Sequence, residues 1–196
     1  RLKALANLEK YGISTTLVCV IQKWINDNEV WELVNFATKY KCIRWISFQP
    51  VEYVWRIKDK AVSERITLTE IRQKIIEGDN PFTKEDMIPL PCHPESICIW
   101  YAIKTLWKIQ PITGMLPKEE LLKWAWNTIT FEKNKDLHKA FYKLFSLDAC
   151  SENTTNNLKS MLCCLPKIVA PKLEYTNVFR IVIMSFMDKY DFDLWS

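Results

Sequence analysis

GISTTLVCVIQKWINDNEVWELVNFATKYKCIRWISFQPVEY, residues 12–53, decides the fold. It reads as strand, loop, helix, strand. Ile13 to Ile21 carries no charge and is almost wholly apolar or β-branched, the pattern of a strand buried on both faces. Asn26-Asp27-Asn28-Glu29 places an N-cap residue three positions ahead of a Glu, the spacing of a capping box. Val30, Leu33, Val34 and Ala37 then fall on one helical face. Lys39 and Lys41 lie near its end, where the helix dipole favours cations. Ile43 to Phe48 is a second short strand. Two such strands joined by a helix predict a parallel pair with a right-handed crossover.

In parallel α/β sheets, ligands meet the C-terminal ends of the strands. Those ends are Ile21-Gln22-Lys23 and Phe48-Gln49-Pro50-Val51-Glu52. Gln49 and Glu52 are the polar groups best placed to face a ligand. The alternative is that both satisfy loop backbone or point into water, since a fold does not fix a function.

The same residues carry a resemblance. Leu17 through Asn26-Asp27-Asn28-Glu29, then Phe36-Ala37, then Phe48-Gln49-Pro50-Val51, resembles the last strand–helix–strand of a radical S-adenosylmethionine (SAM) barrel. The branch it resembles most holds tetraether lipid synthase and its relatives; the radical enzyme of molybdenum cofactor biosynthesis is more distantly similar. Glu64-Arg65-Ile66-Thr67-Leu68 resembles the opening of that branch's next helix. Asp86 to Cys92, with Cys98, resembles its cysteine-bearing loop, and Phe179 to Asp193 a late strand and turn. The resemblance covers residues 1–103 and 178–194.

It implies an α/β fold. Residues 1–60 would be the C-terminal part of a partial (β/α) barrel. Residues 61–196 would be a mainly helical accessory region, with a cysteine-bearing loop at 89–98 and a late strand. It implies SAM and a [4Fe–4S] cluster as cofactors, with Gln49, Pro50, Val20 and Gln22 lining the cofactor or substrate side of the barrel mouth. Cys92 and Cys98 would supply part of an auxiliary iron–sulfur cluster. The substrate would be a small or lipid-like molecule. The Cys-x-x-x-Cys-x-x-Cys loop that holds the radical cluster is absent from this sequence. The expectation is therefore an internal or C-terminal piece, missing the N-terminal barrel half and inactive alone. One departure stands out: the relatives carry Gly two residues before the Asn, where this chain has Trp24. A Gly there permits a positive φ that Trp disfavours. Either the turn changes shape or Trp24 packs over the barrel mouth.

Composition narrows the classes. Apolar residues make up 48% of the chain, which excludes a disordered protein. The net charge of +4 is mild and the basic residues are scattered, so nucleic acid is not an expected partner. No apolar run reaches the roughly 18 residues of a membrane span, and no signal pattern is present, so a cytoplasmic protein is expected. Seven cysteines, irregularly spaced, do not make a secreted disulfide scaffold.

Further along, Leu2, Leu5, Leu8 and Tyr11 predict a helix stopped by Gly12. Thr67-x-x-Glu70 is a second capping box, opening a helix with Ile71, Ile75 and Ile76 inward; Thr83-x-x-Asp86 suggests a short helical turn. In Pro89-Leu-Pro-Cys-His-Pro-Glu-Ser-Ile-Cys98, prolines stiffen a loop bearing Cys92, His93 and Cys98. Read from spacing alone, these thiols are either metal ligands or small buried hydrophobes, and a structural zinc would need a fourth ligand. Ser96 caps an expected helix from Ile97 to about Ile109. More helices are expected near 117–125, 136–145 and 158–165, the last with the packing thiols Cys163 and Cys164. Val178 to Ser185 returns to strand character, followed by the solvated acids Asp188, Asp191 and Asp193.

Two functions compete. One is a piece of a radical SAM oxidoreductase, whose cofactor carries the chemistry while the protein orients it. The other is a non-enzymatic interaction module, a half-barrel whose Trp-rich helices bind a partner; nine Trp fit either core or interface. Two His in unrelated contexts give no hydrolase triad, and no Gly-rich phosphate loop occurs.

Overall fold

A computed structural model describes residues 1–53, 64–79, 81–90, 96–105, 108–113 and 177–186. The described elements are helices α1 (Leu2–Lys10), α2 (Val30–Thr38) and α3 (Leu68–Ile76), and strands β1 (Thr15–Ile21), β2 (Ile43–Pro50), β3 (Ile88–Pro89), β4 (Ile97–Thr105), β5 (Lys108–Pro111) and β6 (Val178–Met184). All six strands share one sheet, ordered β1-β2-β6-β4-β3, with β5 paired to β4. β1, β2 and β6 run parallel, and β4 runs antiparallel to β6. The chain is thus a mixed α/β protein with a partly parallel sheet, as expected for part of a barrel. Among the described residues no helix is long and apolar enough to cross a membrane.

Local signals set most boundaries. Gly12 takes φ 63 after α1, the left-handed geometry that ends helices at little cost for Gly. Thr67 and Glu70 close the expected capping box: Glu70 N donates to Thr67 Oγ1 at 3.1 Å, and Thr67 N to Glu70 Oε2 at 2.7 Å. Thr83 and Asp86 do the same for a short turn at Lys84–Asp86. Val30, Val34 and Ala37 of α2 and Ile71 and Ile75 of α3 are buried, as their spacing predicts.

Three expectations are corrected. The segment expected to be helical from Ile97 is strand β4. Ile97-Cys-Ile-Trp-Tyr-Ala-Ile103 is rich in β-branched and aromatic residues, which suit a pleated surface. Cys98 to Ile103 are all buried, because β6 pairs along β4 on one side and β3 and β5 on the other. β1 is not buried on both faces: its exposure alternates, with Val18 59% and Val20 52% exposed. It ends the strand order, and its outward row stays open. Asn26 does not cap a helix with its side chain; it folds back onto β1 instead. The expected helices beyond residue 113, together with Cys163, Cys164, Asp188, Asp191 and Asp193, lie outside the described residues.

The two faces of the sheet differ. One carries Ile46, Phe48, Ile181, Ile183, Cys98, Trp100 and Ala102, packed with Leu5 of α1, Val30, Val34 and Ala37 of α2, and Ile71 and Ile75 of α3 in a single apolar cluster. Lys104 fastens this side. Its ammonium donates to the carbonyls of Ala37 (3.1 Å), Tyr40 and Ile43 (2.9 Å), satisfying acceptors that the end of α2 leaves open. The other face holds none of the described helices. Register places its residues in rows across the strands: Thr16, Trp45, Arg180 and Tyr101; then Val18, Ser47, Val182 and Ile99; then Val20 and Gln49, beside Met184 and Ile97.

Candidate functional site

The C-terminal ends of β1, β2 and β6 lie at one edge of the sheet, and on the face away from the described helices the row nearest that edge is Val20, Gln49 and Met184. Val20 and Gln49 are register partners on adjacent strands. Gln49 Nε2 lies 3.5 Å from Met184 Sδ. A thioether is a weak acceptor, so this amide can exchange it for a better partner at little cost. Of the four residues expected to line the mouth, Val20 and Gln49 are brought together on this face. Gln22 follows directly beyond β1, half-buried. Pro50 is buried and pairs with Ile21 on the helix-bearing side, where Val51 N donates to Ile21 O at 2.9 Å. Glu52 is also committed: its carboxylate accepts from Phe186 N at 3.1 Å and lies 3.9 Å from Arg65.

The loop after β1 is tightly built. Asn26 Oδ1 accepts from Gln22 N at 2.8 Å, and its Nδ2 donates to Val20 O at 2.9 Å. Asp27 Oδ1 accepts from Trp24 N at 2.9 Å, and Asp27 Oδ2 lies 3.0 Å from Lys74 Nζ on α3. Lys23 Nζ reaches Glu70 Oε1 at 2.7 Å, also on α3. Burial opposes ionisation of Asp27, but Lys74 and the Trp24 N–H outweigh it and hold the carboxyl below its ordinary range. Within this frame Trp24 keeps φ 67, and its side chain is 78% exposed. The turn retains the left-handed shape that a Gly would adopt freely, and the Trp accepts the strain.

Deeper on this face lies a polar layer that the sequence reading missed. The Arg180 guanidinium is buried and sits 4.8 Å from the Trp45 ring centre. Trp45 Nε1 and Ser47 Oγ are buried with no hydrogen-bond partner among the described residues. The signals were present: Trp45, Ser47 and Gln49 alternate with Ile46 and Phe48, and Arg180 interrupts an apolar strand.

Cys98 faces the other way. It is fully buried, in the row of Phe48 and Ile183, under α3. Arg72 Nε lies 3.3 Å from its Sγ. Burial raises its thiol pKa, although Arg72 works in the opposite sense. Cys92 and His93 lie outside the described residues. Among the described residues no three His, Cys, Asp or Glu side chains gather to hold a metal ion. Around Cys98 the described neighbours are apolar side chains and Arg72. Gln49 places an amide at the strand ends whose acceptor, Met184 Sδ, is a weak one.

No family model matches the chain. It is similar to a curated protein of Methanocaldococcus jannaschii, 7,8-dihydro-6-hydroxymethylpterin dimethyltransferase, with 27% identity across 98% of this chain. The chain spans 46% of that relative's length.

Proposed function

We propose that this chain forms the C-terminal part of the barrel, and its accessory region, in a radical SAM-type enzyme. The observation that carries the reading is the layout of β1, β2 and β6: three parallel strands whose C-terminal ends present Val20, Gln49 and Met184 on the face that carries none of the described helices. That is where α/β sheets receive ligands, and it falls within the stretch that resembles radical SAM barrels. Similarity along nearly the whole chain to a protein named as a methyltransferase supports an enzyme over an interaction module.

In such enzymes a reduced [4Fe–4S] cluster supplies one electron that splits SAM into methionine and a 5′-deoxyadenosyl radical. No described residue of this chain holds that cluster. The part of this chain is to bind and orient: Gln49 offers an amide donor and acceptor to a polar group, Val20 an apolar wall, and the Gln22–Asp27 loop a fixed rim. The substrate class proposed is a planar heteroaromatic of the pterin kind, as in the relative's name; a lipid-like substrate is the reading implied by the tetraether synthase resemblance.

The test uses the full-length protein, reconstituted with iron and sulfide and reduced without oxygen. Release of 5′-deoxyadenosine and methionine from SAM is expected. A protein that takes up a cluster yet cleaves no SAM, with or without pterin, contradicts the proposal.

A further inference from the structure

Trp24 combines two costs that a protein normally avoids together. Its backbone sits at φ 67, where L side chains other than Asn and Asp are rare. Its side chain, the largest available, is 78% exposed. Neither cost is relieved by packing. The loop nevertheless enforces the geometry from both sides: Asp27 holds Trp24 N, Asn26 ties Gln22 N to Val20 O, and Ile25 N and Asn26 N both donate to Gln22 O. Lys23 and Asp27 then anchor the loop to α3 through Glu70 and Lys74. Strain that the surroundings over-determine marks functional positions more often than accidents.

Trp24 stands three residues beyond Ile21, the last residue of β1, in the loop that follows the strand's C-terminal end. Lys23 Nζ lies 5.7 Å from the centre of the Trp24 ring, and with the ring so exposed, area remains free to stack. A rigid aromatic surface at a strand end, with a cation close by, suits a flat, electron-rich ring system rather than a flexible chain.

We propose that Trp24 is a stacking platform for a planar fused heteroaromatic ring bound at the mouth formed by β1 and β2. This rests on the proposed function and adds to it a residue that selects for ring chemistry. Two sources share that chemistry: the adenine of SAM and a pterin-type substrate.

The experiment compares full-length wild-type protein with Trp24→Gly and Trp24→Phe. Binding of SAM and of 6-hydroxymethyl-7,8-dihydropterin is measured by equilibrium dialysis, and stability by urea unfolding. Glycine relieves the backbone strain, so W24G is expected to unfold at the same or a higher urea concentration. It is nevertheless expected to bind one of the two probes about tenfold or more weakly, with W24F recovering most of the loss. Loss confined to the pterin assigns the platform to substrate; loss confined to SAM assigns it to adenine. Equal binding of both probes by wild type and W24G overturns the platform and leaves the proposed function standing. A W24G protein that unfolds more easily and loses affinity for both probes alike makes Trp24 a structural residue and also overturns it. Wild-type protein that binds neither probe overturns the proposed function, and the platform with it.

Discussion

Gln49 and Cys98 sit on opposite faces of one sheet. Cys98 pairs with Ile183 on β6, and Ile183 pairs with Phe48, the residue before Gln49 on β2. One step along β2 therefore moves from the helix-packed core to the opposite face. A thiol in that core is shielded. In native protein at pH 8 the peptide containing Cys98 is expected to react with iodoacetamide far more slowly than in urea, since burial both covers the thiol and raises its pKa. Mass-spectrometric mapping of alkylated peptides checks this; rapid native labelling would place Cys98 at an accessible site.

Asp27 is worth more than the surface pair beside it. It is 7% exposed and holds both the Trp24 N–H and the Lys74 ammonium. Asp27→Ala is expected to lower stability by about 2 kcal/mol, whereas a double-mutant cycle on the more exposed Lys23 and Glu70 is expected to give about 0.5 kcal/mol. Asp27 also titrates lower in the folded chain than in the unfolded one. Its stabilisation is thus present above about pH 4 and lost as pH falls through the folded value. Urea midpoints of wild type and Asp27→Asn should converge on acidification.

Trp100 tests the reassignment of residues 97–105 to a strand. It is fully buried against the helix-side core, and its Nε1 makes no hydrogen bond among the described residues. Trp100→Phe therefore forfeits volume but no polar partner and should cost about 1 kcal/mol. Trp100→Ala should cost about 3–5 kcal/mol. Equal costs in urea unfolding would contradict this packing.

Lys104 gives the fold a pH signature on the alkaline side. Burial, with help from the Arg44 charge, brings its pKa down to about 8, against about 10.4 in an unfolded chain. Between those values the unfolded state binds more protons, so this residue's contribution to stability rises with pH. The stability of wild type relative to Lys104→Met should therefore climb from pH 8 to pH 10.5. A difference that stays flat or falls would mean the ammonium is not desolvated.

The α1, α2 and α3 signals, the β2 and β6 strands and the Thr67 cap were legible in the sequence because each depends on near neighbours: a spacing, a cap, a Gly. β4 was not. Ile99, Trp100 and Ile103 fit a helical stripe as readily as a strand, and the decision came from β6, which arrives over seventy residues later in the chain to pair with it. The site was half legible. Gln49 and Val20 could be named from strand ends, but which face each residue occupies depends on register. Pro50 was assigned beside Gln49 without it. Trp24 was visible as an anomaly; that it keeps a left-handed backbone became clear only with the Asn26 and Asp27 hydrogen bonds.

The most direct measurement of the account is 5′-deoxyadenosine formation by reconstituted, reduced full-length protein carrying Gln49→Ala or Cys98→Ser. Gln49→Ala is expected to lower kcat/KM for SAM cleavage by about tenfold or more, the effect of one lost polar ligand contact. Cys98→Ser is expected to keep wild-type iron content and turnover within about twofold, at some cost in stability. Loss of iron and activity in Cys98→Ser, with Gln49→Ala unaffected, would move the functional centre to the other face of the sheet and contradict the account.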